Sequence, residues 1–363
     1  MLMSFRWYGN KLDKIPLRYI RQIPGMKNVV SAIYHIPVGK VWPYEDILEL
    51  KNEIEAAGLM FKTVESVNVH EDIKLGLPTR DRYIENYCLT LKNLAKAGVE
   101  VVCYNFMPVF DWTRTELAKT LPDGSTALFY DEKVIKDLEP TKLVEDMEKG
   151  SNGFELPGWE KGRLAAIKKL FDLYQDINEE KLFANLKYFL EGIIPTAEEC
   201  GIKMAIHPDD PPWSVFGLPR IVTSKANLER VVKLVDSPAN GLALCSGSLG
   251  ANPNNNVPEI FGHFAKMGRL HFAHVRNIKI YEPGVFSETA HKADDSSLDM
   301  YAIMKALYEA GFTGPLRPDH GRMIWDEVGM PGYGLYDRAL GAVYLYGLWD
   351  SIARCTKDAG TSV

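Results

Sequence analysis

Four short stretches of the chain end in residues of the kind that bind metals or move protons: HPDD at 207–210, CSGS at 245–248, HVRN at 274–277 and RPDHGR at 317–322. Each follows a brief apolar run, so His207, Cys245, His274 and Asp319 each close a candidate β-strand. One histidine or cysteine in such a place is more often a packing residue. Four ligand-type residues closing four successive strands are hard to obtain by chance. If those strands are parallel members of a closed sheet, their ends meet on one face. Two neutral imidazoles, a thiolate and a carboxylate then suit a borderline divalent ion, whose charge the two anionic ligands offset. Cys245 is the member most open to the plainer reading of a small buried hydrophobe.

Polar residues thicken around this set. HPDD adds Asp209 and Asp210, HVRN adds Arg276, FSETAHKADD adds His291 and Lys292, and RPDHGR adds His320 and Arg322. Singly each reads as a solvated loop residue. On one face they suit a polyhydroxylated anion, with arginine or lysine for its carboxylate and carboxylates for its hydroxyls. His271, three residues before His274, falls on the other side of its strand because side chains alternate with a period of two.

The elements that must position these residues follow from the hydrophobic pattern. β-rich runs lie at 3–7, 28–34, 61–67, 99–106, 202–207, 241–245, 269–274 and 314–319. Between them, helical spacing of apolar residues marks 46–58, 84–98, 184–201, 227–235 and 298–311, several ending in a glycine. Eight strands alternating with helices imply parallel pairing, and the expected fold is an α/β chain forming a single (β/α)8 TIM barrel over 1–363. An open doubly wound sheet is the rival, but no GxGxxG follows the first strand. The fourth and fifth strands stand roughly ninety residues apart, about three times what a crossover needs. An insertion is therefore expected at 107–183. Its stretch 107–130 is aromatic and polar, and a lid over the catalytic face competes evenly with a packing excursion or an oligomer contact.

Composition narrows the function. A net charge of −6, with no basic block, leaves no footprint for nucleic acid. No run approaches a membrane span, and the N-terminus MLMSFRWYGN lacks the apolar core of a signal peptide. Five widely spaced cysteines argue for a reducing compartment, so a cytoplasmic location is expected, as is a homo-oligomer.

With these motifs in place, the chain resembles the mannonate dehydratase family nearly end to end. The resemblance also rests on MSFRWYG, CYNFMPVFDWTR at 103–114, FGLPRI at 216–221 and PGYGLYDRALGA at 331–342; it is weakest over 131–165 and the last dozen residues. It implies a xylose-isomerase-like barrel that uses Mn²⁺ or Fe²⁺ to convert D-mannonate to 2-keto-3-deoxy-D-gluconate in hexuronate catabolism. Its metal ligands fall on His207, Cys245, His274 and Asp319, and its acid/base candidates on His320 and Tyr333. Asp209, Arg276, His291 and Arg322 are the residues expected to hold the sugar acid. A metal-dependent sugar isomerase on the same barrel is the nearest rival, although a thiolate ligand would be unusual there. A non-catalytic sugar-acid binder and a barrel endonuclease are more distant, the latter because phosphate contacts demand a basic surface.

Overall fold

In the computed structural model, which describes residues 1–151, 153–154 and 167–360, eight short apolar strands close into a parallel barrel. Residue 152 and residues 155–166 of the expected insertion lie outside the described residues. In chain order the strands are β1 (Leu2–Arg6), β2 (Asn28–Ser31), β3 (Met60–Glu65), β4 (Val101–Tyr104), β5 (Glu116–Thr120), β6 (Thr126–Asp131), β7 (Lys203–Ile206), β8 (Asn240–Cys245), β9 (Leu270–Val275), β10 (Asn277–Glu282), β11 (Val285–Thr289) and β12 (Pro315–Pro318). The barrel runs β1-β12-β9-β8-β7-β4-β3-β2, each neighbour parallel, as the alternation of strands and helices implies.

Alternation sorts each strand's side chains between two cores. Met3, Phe5, Leu242, Leu244, Ala273, Val275 and Leu316 join the large core shared with the helices. Residues of the opposite parity face inward, where Val30, Val101, Cys103, Ala205, Ala243 and Phe272 pack as a separate cluster. Small residues on most of these strands leave room for the Phe272 ring, so the bore is plugged below the level of the strand ends. Next to the plug, Asn28 donates through Nδ2 to Ser4 Oγ at 3.0 Å and to Thr63 Oγ1 at 3.3 Å.

The helices begin and end where local chemistry dictates. The helix Glu179–Cys200 starts five residues before its expected position because Asn178 caps it, accepting from the Lys181 amide at 2.9 Å. It stops at Gly201, whose φ of 69° is left-handed and suits glycine. Leu182, Leu186, Phe189 and Ile193 form its buried face. No helix among the described residues is long and apolar enough to cross a membrane.

A second sheet, not anticipated from the sequence, rises beside the C-terminal face of the barrel. It is antiparallel in the order β10-β11-β6-β5, so two of its strands come from the insertion after β4 and two from the connection after β9. The stretch FSETAHKADD, read as a loop, supplies most of β11. Its strands are only five or six residues long, too short for a clear alternation, and the pairing of β6 with β11 that joins its two hairpins spans distant parts of the chain. Leu128, Tyr130, Ile278 and Phe286 of this sheet pack with Trp112 and Leu117 in a core of their own.

Close packing of the barrel strands makes one glycine a test. A Cβ at Gly241 would lie 2.6 Å from the Arg269 carbonyl oxygen and press on the His271 ring. That ring is itself held, its Nδ1 standing 2.7 Å from the Met204 carbonyl oxygen. Gly241→Ala is expected to cost roughly 1–3 kcal/mol, the usual penalty of overpacking, and to lower the midpoint of thermal unfolding. An unchanged midpoint would show that the β8–β9 contact yields without strain.

Candidate metal centre and active site

Inward parity carries upward from the plug to the strand ends. Ala205 leads to His207, Ala243 to Cys245, Phe272 to His274 and Arg317 to Asp319, so the four residues arrive on one side of the barrel mouth. His207 Nε2 stands 3.1 Å from His274 Nδ1. Donor atoms of His207, Cys245 and His274 all lie within 4.8 Å of one another. Ligands about 2.0–2.3 Å from a shared ion fall at such separations. Asp319 adjoins the group, with Oδ2 3.3 Å from the Cys245 sulfur. Its oxygens are also engaged by Arg276 Nε at 2.8 Å and Arg317 Nη1 at 2.6 Å. Two imidazoles, a thiol and a neighbouring carboxylate fit a borderline divalent cation. Glu65, Cys103 and His274 form another close group, but Arg6 and Arg317 already neutralise Glu65 and repel a second cation.

A cavity of about 510 Å³ opens beside these donors, lined by His207 and Asp319 and also by Arg6, Glu65, Asp210, Trp112, His320 and Tyr333. His320 Nε2 lies 2.8 Å from the Tyr333 hydroxyl, and the two rings meet edge to face at 4.8 Å. Trp112, from the insertion, sets its ring edge-on to His320 at 5.7 Å. On its far side His320 presents Nδ1 to Glu288 Oε1 at 3.1 Å.

The residues expected to hold substrate are placed differently. None of Asp209, Arg276, His291 and Arg322 lines the cavity. Asp209 is buried and accepts from the Val222 amide at 2.8 Å, whereas its neighbour Asp210 faces the cavity. Arg276 is fully buried between Glu288, Asp210, Asp319 and the Cys245 sulfur. His291 turns under the barrel rim, its Nε2 2.9 Å from the Val275 carbonyl oxygen. Arg322 reaches outward to Asp123 and Asp337. These positions correct the loop reading: nearness in sequence to a ligand does not set the direction of a loop side chain.

Sequence reasoning also missed Arg6, Glu65, Arg317, Arg114 and Glu288. The first three carried a signal, being charged residues within apolar strands and at inward parity. Arg114 and Glu288 carried none, since they meet across 174 residues of chain.

Charge pairing sets the protonation of this interior. Burial acts to raise the Glu288 carboxyl pKa, but Arg276 and Arg114 outweigh it and bring it down to about 2. Burial likewise opposes ionisation of Asp210, yet Arg114 and Arg276 hold it well below the carboxylate range. Glu65 is held down against burial by Arg317 and Arg6. Burial, with Asp319 adding to it, pushes the Tyr333 phenol upward, so it keeps its proton at neutral pH.

A parallel barrel with buried imidazole, thiol and carboxylate groups around a cavity at its strand ends has the architecture of the (β/α)8 enzymes. Residues 1–359 match the model of the D-mannonate dehydratase (UxuA) family, and the chain belongs to that family. It is 60% identical to a mannonate dehydratase of Geobacillus thermodenitrificans over 97% of this chain and 95% of that protein. It is equally 60% identical to one of Thermotoga maritima, over 98% of this chain and 99% of the other. The crystal structure of a mannonate dehydratase from Streptococcus suis serotype 2 superposes with a TM-score of 0.89 at 47% identity, covering 98% of this chain and 96% of that one.

The buried charges give stability a definite pH dependence. Glu288, with a folded pKa near 2 against an ordinary 4.5, binds protons more weakly folded than unfolded. Its contribution is present above about 4.5 and is lost as pH falls toward 2. His271 acts in the same sense: burial lowers it from 6.5 to about 4, so acid favours the unfolded chain below 6.5. In chelator-treated protein, urea midpoints should decline below pH 6.5 and more steeply below 4.5. A midpoint constant from pH 7 to pH 3 would contradict an ionised interior.

Proposed function

We propose that this chain is a mannonate dehydratase, removing water from D-mannonate to give 2-keto-3-deoxy-D-gluconate in cytoplasmic hexuronate catabolism. The observation that carries the reading is the His320–Tyr333 pair, 2.8 Å apart and facing the same cavity as His207 and Asp319. Proton-transfer groups and electrophilic stabilisation must sit side by side for this reaction, because the proton to be removed is α to a carboxylate. Family membership supports the choice of substrate.

The chemistry divides among the residues as follows. His320 is the base that takes the C2 proton, and Tyr333, protonated at rest, gives its proton to the departing C3 hydroxyl. The C2–H and C3–O bonds break, a C2=C3 double bond forms, and water leaves. The resulting enol becomes the 2-keto acid by taking a proton at C3 and releasing the one on its C2 hydroxyl, and return of the proton from His320 to Tyr333 restores both groups. A Mn²⁺ or Fe²⁺ ion held by His207, Cys245, His274 and Asp319 would act as a Lewis acid for the charge that builds on the carboxylate. Arg6 and Arg317 line the cavity as fixed cations on the same side as Glu65 and suit the anionic substrate. Asp210 offers a carboxylate oxygen to a hydroxyl.

Dehydration should be tested on a panel of aldonates with and without chelator. Loss of activity on chelation, and recovery with Mn²⁺ or Fe²⁺, is expected; a ketose produced from an aldose would favour an isomerase instead. Cys245→Ser replaces a soft anionic donor by a neutral hydroxyl and should lower bound metal and activity together. Metal content equal to the parent by elemental analysis would remove Cys245 from the ligand set.

The proton pair is tested separately from the metal. His320→Asn and Tyr333→Phe should each keep metal and substrate binding while losing roughly 10²–10⁴-fold in kcat. Tyr333→Phe should still exchange the C2 hydrogen with solvent deuterium, and His320→Asn should not. The opposite pattern would exchange the two roles, and an unchanged kcat would end the assignment.

A further inference from the structure

Glu288 belongs to no barrel strand and does not line the cavity, yet it touches the residue on which proton transfer depends. It is fully buried on β11, in the accessory sheet. Its Oε1 receives three donors: His320 Nδ1 at 3.1 Å, Arg114 Nη2 at 2.8 Å, and Arg276 Nη1. Asp319 is not placed to do the same work. Its Oδ1 stands 3.9 Å from His320 Nε2, beyond hydrogen-bond reach, and is taken by Arg317.

We infer that Glu288 is a positioning residue for the dehydration: anchored by Arg114 and Arg276, it holds His320 in the tautomer whose Nδ1 carries the hydrogen and whose Nε2 lone pair faces Tyr333 and the cavity. A neutral imidazole has one N–H and one lone pair, and the partner of one nitrogen decides the state of the other. An ionised carboxylate only accepts, so the nitrogen facing it must be the donor. Two guanidiniums keep that carboxylate ionised and immobile, and its bond to Nδ1 fixes the plane of the ring. Both elements that build this support lie outside the barrel, Arg114 in the connection between β4 and β5 and Glu288 in the hairpin after β9. The accessory sheet thereby acts on the chemistry through one hydrogen bond.

The inference rests on the proposed role of His320, and a double-mutant cycle separates the two. Glu288→Gln keeps the shape but loses the charge. It should lower kcat roughly 10–100-fold, with KM and metal content at parent values. In a His320→Asn background the same substitution should change kcat by less than about twofold, because its effect passes through the imidazole. Glu288→Asp, which keeps the charge one methylene away, should recover part of the loss. Should Glu288→Gln fail to fold by circular dichroism, Glu288→Asp takes its place in the cycle, with a smaller fall in kcat expected and again no effect in the His320→Asn background. An equal fall in both backgrounds, a change confined to KM, or loss of metal would overturn the inference, as would a parent-like kcat in Glu288→Gln while His320→Asn is impaired. A parent-like kcat in His320→Asn alone would instead overturn the proton-transfer reading on which it rests.

Discussion

Beneath the cavity, buried arginines and carboxylates alternate without a break. Arg6 pairs with Glu65, Glu65 with Arg317, Arg317 with Asp319, Asp319 with Arg276, Arg276 with Glu288, Glu288 with Arg114, and Arg114 with Asp210, which returns to Arg276. Burial costs each ion several kcal/mol, and a single pair rarely regains that from Coulomb attraction alone. Here the four arginines balance the four carboxylates, and each link of the chain holds the next in place. Removing any member strands a neighbouring charge in a low-dielectric interior, so the series behaves as a unit. It gains nothing obvious in stability over apolar packing. What it supplies is a set of fixed charges aimed at one face of the cavity, and fixed charges need no reorganisation when charge develops on a substrate.

That chain also ties together parts of the protein with different origins in the sequence. Arg6, Glu65 and Arg317 come from barrel strands, Asp210, Arg276 and Asp319 from the residues beyond β7, β9 and β12, and Arg114 and Glu288 from the segments that build the accessory sheet. The two sheets have separate apolar cores. The accessory core also takes in Tyr8, Leu75, Met330 and Tyr333 from outside that sheet, so apolar packing and ion pairs together hold the sheet against the barrel near the site.

The barrel could be read from the sequence because its signals are local and repeated: apolar runs of strand length, helical spacing between them, and glycines at helix ends. The metal candidates were legible for the same reason, since a strand's last inward residue is determined by parity and parity survives folding. The same logic would have exposed Arg6, Glu65 and Arg317, which break apolar strands with a charge on the inward side. Asp209, His291 and Arg322 failed because loops have no parity; HPDD presents two carboxylates, and only the fold shows that Asp210 meets the cavity while Asp209 accepts from the Val222 amide. Glu288 and Arg114 lay beyond any such reading. A glutamate in a short polar hairpin acquires its role solely from partners in other parts of the chain.

The arrangement also decides which side of the cavity is closed. The stretch 107–130 reads in isolation as a possible lid, but Leu117, Leu128 and Tyr130 are buried in a common core with β10 and β11, and Arg114 is locked between Asp210 and Glu288. Opening on that side would require parting buried ion pairs and apolar contacts together, which makes the accessory sheet a wall. The opposite side of the cavity is formed by Tyr34, His35, Val38 and Lys40 after β2 and by Asn68 and His70 after β3. There the surface is looser: Val38 is 38% exposed, and the His35 side chain 62%. The more exposed rim of the cavity therefore lies on the β2 and β3 side, across from the accessory sheet, while Arg6 and Glu65 at the ends of β1 and β3 tie that side into the same series of buried charges.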